Sequence, residues 1–84
     1  MFVKTVGYAP PVKRSVLIAG HPTSVSLEPL FWQLLEQAAS ARAMPLSALI
    51  AEVDAARLGW RPTPNLTSAL RQWLLRQALG SESN

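Results

Sequence analysis

The sequence predicts a mainly α-helical protein with one short β element, assembled from more than one copy of the chain. Three observations carry that expectation. Residues 23–27, "TSVSL", alternate polar and apolar side chains as a half-buried strand does. Three later stretches repeat apolar residues at helical spacing, with proline or glycine between them. The chain has 84 residues, no cysteine and one histidine. A core of that size is small, and neither disulfides nor a thiolate metal site can reinforce it, so a partner chain is the expected support.

The elements follow in order. Residues 1–12 read as a flexible arm, because Gly7, Pro10 and Pro11 break regular structure. "SVLIAG", residues 15–20, is β-prone, and Gly20–His21–Pro22 is a turn signal. This run is either a strand leading into the next one or a buried extended segment, and the spacing does not decide. The strand over 23–27 places Thr23, Val25 and Leu27 on one face and Ser24 and Ser26 on the other. A first helix is expected over about 29–42, with Pro29 in its first turn. Its stripe is Phe31, Leu34, Leu35 and Ala38, and Trp32 falls beside it, toward a neighbouring helix or a second subunit. A second helix is expected over about 45–58, opened by Pro45 and striped by Leu46, Leu49, Ile50 and Val53. Gly59 ends it, and residues 59–64 form a linker that Pro62 and Pro64 keep from being helical. Asn65 is a favourable cap for a third helix over 65–79, striped by Leu66, Leu70, Trp73 and Leu74. Leu75 and Leu79 lie off that stripe, and a helix apolar on two sides usually meets two neighbours. Residues 80–84 should fray.

The net charge is +3 and the pI near 10.2. Its distribution is more informative. Lys4, Lys13 and Arg14 are the only charged residues before Glu28, so the first third of the chain is purely basic. A basic stretch of this kind is an electrostatic footprint for a polyanion or a solubility feature. No apolar run approaches the roughly 20 residues that span a bilayer, and the opening "MFVKTVGYAPPVKRS" lacks the continuous apolar stretch of a signal peptide. A cytoplasmic protein without a membrane partner is expected.

Chemistry for catalysis is missing. His21 lies near serines, but a triad also needs an orienting carboxylate and an oxyanion site. Glu52 and Asp54 are two apart and diverge on a helix. No glycine-rich phosphate loop occurs. The expectation is therefore no enzyme activity, no cofactor, no metal and no small-molecule substrate.

The segment "TSVSLEPLFWQLLEQAASARAMPLSALIAEV", residues 23–53, resembles the ribbon-helix-helix family of bacterial DNA-binding proteins. The shared features are a short alternating strand ending in Leu27, a proline at the first helix start, and a second helix opening with Ser47–Ala48–Leu49–Ile50. "KRSVLIAGHPTSVSLEPLFW", "LSALIAEVDAAR" and "NLTSALRQWLL" look closer still to the branch of short stand-alone ribbon-helix-helix domains, over residues 13–79. The resemblance implies a ribbon-helix-helix core over 13–58, an intertwined and obligate homodimer with room for a higher oligomer, and the third helix as an addition. It implies that the 23–27 strand pairs with its own copy in a second chain, and that this two-stranded ribbon enters the major groove of double-stranded DNA. Ser24 and Ser26 would then face base edges, where the family usually carries longer side chains. Lys13, Arg14, Ser15 and His21 would contact phosphates, as would the second helix start at Leu46 and Ser47. Val25, Leu27, Phe31, Leu34, Leu35, Leu49, Ile50 and Val53 would form the dimer core. The function implied is a dimeric DNA-binding transcriptional regulator; the alternative on the same dimer fold is a protein-interaction or scaffold module.

Overall fold

A computed structural model describes residues 8–80. The elements run β1 (Val12–Ile18), β2 (His21–Leu27), α1 (Pro29–Ala41), α2 (Leu46–Arg57) and α3 (Leu66–Gly80). Most of the arm expected over 1–12 lies outside the described residues, as do 81–84 of the expected tail; Val12 belongs to β1 and Gly80 to α3.

The two strands form an antiparallel hairpin, in register from Val12 opposite Leu27 to Ile18 opposite His21. The 23–27 strand, for which the resemblance implied a partner in a second chain, has one in its own. Its partner is the β-prone run before it, and the pairing is local, because only Ala19 and Gly20 separate the strands. Both have positive φ, 50° and 82°. Two left-handed residues make the type I′ turn whose twist matches the strands it joins. A Cβ on Gly20 would meet nothing within 4 Å, so glycine serves conformation there rather than space.

Alternation then divides the hairpin. Val16, Ile18, Val25 and Leu27 are buried on its inner face, against the helices. Trp32, Leu35 and Ala39 of α1, Leu49, Ile50 and Val53 of α2, and Leu70 and Leu74 of α3 complete the core. The centre of the α1 stripe is thus turned by one position from the sequence expectation. Trp32, Leu35 and Ala39 are fully buried, whereas Phe31, Leu34 and Ala38 pack around them half-buried. The cause is the hairpin: the Trp32 indole lies under it and its Nε1–H donates to the Val12 carbonyl at 2.8 Å.

Helix ends follow local chemistry. Pro29 occupies the first turn of α1, and the Glu28 carbonyl accepts from the amides of Phe31 and Trp32. At the other end the Met44 amide donates to the Ala39 carbonyl and the Ala43 amide to that of Ser40. Ala43 is left-handed, φ 54°. This is the Schellman closure, with alanine where glycine is usual. Pro45 caps α2 from outside the helix, so the helix begins at Leu46 and every residue of its first turn has an N–H. Asn65 caps α3 through a 2.7 Å bond from the Ser68 amide to its Oδ1.

Candidate nucleic-acid interface

The register decides which of the expected contact residues share a surface. Residues directly opposite one another point to the same side of a hairpin. The outer face therefore carries Lys13 beside Ser26, Ser15 beside Ser24, and Leu17 beside Pro22. All except Ser26, which is half-buried, are exposed, and the face holds no acid. The tight turn makes Ile18 and His21 a hydrogen-bonded pair, and pairs alternate from there. Lys13–Ser26 and Ser15–Ser24 are then the close, non-bonded pairs. The backbone groups of Pro22, Ser24 and Ser26 point to the open edge of β2, where the N–H that proline lacks is not needed by β1.

Arg14 falls on the other side. Its guanidinium lies 4.6 Å from the centre of the Trp32 ring, and Nη1 donates to Glu36 Oε2 at 2.8 Å. It ties β1 to α1, and the expected Lys13–Arg14–Ser15 phosphate segment is split between two faces. His21 sits at the hairpin tip, exposed, on the side of Ile18. Leu46 and Ser47 open α2 half-buried, with no side chain capping their amides. That leaves Lys13 as the outer-face cation, with no ion-pair partner among the described residues.

Two further arginines are held in the same way as Arg14. Arg42 lies 4.9 Å from the Trp73 ring centre and donates to Gln77 Oε1 at 3.0 Å. Arg71 lies 5.5 Å from the Phe31 ring centre and donates to both carboxylate oxygens of Glu28, at 2.9 and 3.2 Å. The Arg71 hydrogen bond, helped by the amide of Glu28 itself, holds the Glu28 carboxyl below the usual carboxylate range. The acid that follows the ribbon is therefore neutralised by α3.

Of the eight expected dimer-core side chains, Val25, Leu27, Leu35, Leu49, Ile50 and Val53 are buried within a single chain, and Phe31 and Leu34 are half-buried against them. Leu17 and Pro22 belong to the outer face without having been expected there. The signal for them is Ala19–Gly20 between two β-prone runs: read as a two-residue turn, it sets the register. Among the described residues no group of three metal-ligating side chains comes together, and no helix is long and apolar enough to cross a membrane.

No curated protein and no solved structure gives a match to this chain. A family model described as "Ribbon-helix-helix domain" matches residues 11–78, from the start of the hairpin into the last turn of α3. A match over that much of the chain, on a two-stranded antiparallel ribbon followed by helices, shows that the protein belongs to the ribbon-helix-helix domain family, a family of DNA-binding regulators.

Proposed function

We propose that the protein is a homodimeric transcriptional regulator that lays the outer face of its β1–β2 hairpin into the DNA major groove. The single observation that carries this reading is that face: Lys13, Ser15, Ser24 and Ser26 in two adjacent cross-strand pairs, with no acid among them. A groove about 12 Å wide admits a two-stranded ribbon, and the hairpin is one without a second chain. Ser15, Ser24 and Ser26 are short. They can donate to or accept from base edges only on close approach, and the contact discriminates bases weakly. Lys13 would supply a phosphate contact, joined by His21 at the tip and by the open amides of Leu46 and Ser47. Ribbon-helix-helix domains are typically non-enzymatic, and none of these residues is given a catalytic role.

The test is DNA affinity as a function of salt. Affinity should fall steeply with salt, and Lys13→Ala should weaken all sequences alike and reduce the salt slope by about one per neutralised phosphate. A folded chain with no DNA affinity at low salt overturns the reading.

One observation favours the alternative, a protein-interaction module on the same fold. Arg14 is turned away and tied to α1, so Lys13 is left as the outer-face cation. Ser24→Glu and Ser26→Glu separate the two readings. Added acids on this face abolish DNA binding in the first and leave function intact in the second.

A further inference from the structure

We propose that Leu17 and Pro22, at the tip of the hairpin's outer face, form an apolar reading element for pyrimidine C5-methyl groups in the DNA major groove. The inference rests on the reading of that face as the groove-entering surface, and it names what the face selects there.

Three cross-strand pairs line the outer face in order: Lys13–Ser26, Ser15–Ser24 and Leu17–Pro22. The chemistry changes along the row, from a cation through hydroxyls to hydrocarbon. Leu17 is 59% exposed and takes no part in the core, and Pro22 is exposed opposite it. A lone exposed leucine means little. Here it closes a row whose other members are polar. The alternation that starts at Ile18–His21 makes Leu17–Pro22 a close, non-bonded pair, with Cα atoms about 4.5 Å apart. The two side chains thus make one apolar spot.

The spot is open and fixed. The helices cover the opposite face of the hairpin, where Val16, Ile18, Val25 and Leu27 are buried. A strand added at either edge would pair through backbone groups, which lie in the plane of the sheet, and would leave the outer face uncovered. The left-handed Ala19–Gly20 turn sets the register, and the Pro22 ring fixes its own φ. Little conformational freedom remains to be lost on docking.

Elimination identifies the ligand. Lys13 on a phosphate carries no sequence information. A serine hydroxyl both donates and accepts, so it suits every base. Discrimination on this face falls to Leu17 and Pro22. Base edges in the major groove offer donors, acceptors and one apolar group, the C5 methyl of thymine. Set against a cytosine amino group or a purine N7, the pair would displace water and return no hydrogen bond. Successive pairs on one face are about 7 Å apart, or two base-pair steps of about 3.4 Å. The spot therefore reaches a base beyond those that the serines touch. Methylated cytosine carries the same C5 methyl, and the experiment separates the two sources.

The test starts from duplexes that the full chain selects from a random-sequence pool at low salt. Each thymine of a selected duplex is replaced in turn by uracil, which lacks only the methyl. Wild-type affinity should fall about fourfold at the thymine that meets Leu17, the value of one buried methyl. Leu17→Ala should bind the thymine and uracil duplexes alike, whereas Lys13→Ala should weaken both and keep the difference. At that position a C·G pair should bind weakly. Recovery on C5 methylation of that cytosine shows that the methyl alone is read, and no recovery shows that thymine is the source. Equal wild-type affinity for thymine and uracil duplexes overturns the proposal and leaves DNA binding by the hairpin standing. A uracil effect that survives in Leu17→Ala also overturns it. So does a lower mass for Leu17→Ala than for the wild type in sedimentation equilibrium, which would place Leu17 in a contact between chains. Absence of DNA affinity at low salt defeats the groove reading itself, and this inference with it.

Discussion

Lys13 and Arg14 are neighbours in sequence and carry the same charge, yet they belong to different parts of the molecule. Lys13 stands on the outer face of the hairpin with Ser26 opposite. Arg14 lies on the inner side, stacked on Trp32 and paired with Glu36. The same division separates Ser24 and Ser26 from Val25 and Leu27, which are 1 and 0% exposed. One strand thus carries two functions at a period of two residues: one face holds the fold together and the other is free to meet a ligand. In such a strand, charge counted along the sequence overstates the charge that a partner meets.

The largest effect that tests this division is on the inner face. Leu27→Ala should cost about 2–5 kcal/mol of unfolding free energy, the range for a fully buried leucine. Ser24→Ala should stay within about 0.5 kcal/mol, as for an exposed site away from caps and cores. Denaturant unfolding measures both, and comparable losses at the two positions would break the division. Next comes the Lys13–Arg14 pair itself. Arg14→Ala should cost about 1 kcal/mol, the combined scale of a half-exposed ion pair and a cation–π contact, and leave DNA affinity nearly unchanged. Lys13→Ala should do the reverse. Equal losses of DNA affinity in the two variants would return Arg14 to the contact surface.

Two smaller effects probe how the ribbon is joined to the helices. Ala43→Gly should raise stability by up to about 1 kcal/mol, because the left-handed closure after α1 disfavours a Cβ. A loss there would mean that alanine makes a contact that outweighs its strain. Glu28 links the end of β2 to α3 through Arg71. Because its pKa is lowered in the folded state, the pair stabilises the fold above the ordinary carboxylate pKa, and that contribution disappears as pH falls through the lowered value. Thermal unfolding followed down through the carboxylate range should show this acid-side loss in the wild type and less of it in Glu28→Gln.

Much of the helical part was legible in the chain. The α2 stripe of Leu49, Ile50 and Val53 and the α3 pair Leu70 and Leu74 are buried where helical spacing puts them. Asn65 caps α3 as its side-chain chemistry suggests. The first helix was legible as a helix but not in its orientation. The sequence allows either Phe31 or Trp32 to lead the buried stripe, and the hairpin above Trp32 selects it. The ribbon was half legible. Residues 23–27 read as a strand, but its partner looked like another chain, because a run such as "SVLIA" without alternation does not declare which side it buries.

Composition and local pattern alone determined that this chain is a small, mainly helical domain without cysteine chemistry, with a basic, acid-free first third and an alternating strand before three helices. Those properties depend on residues within one or two turns of each other. Only the tertiary structure decided the partner of β2, the face of each cation and the placing of Leu17 beside Pro22 on the outer face. All three depend on register and on packing between distant segments. A shift of one residue in the register would put Arg14 in the place of Lys13 on the outer face, or Ser24 in the place of Val25 in the core.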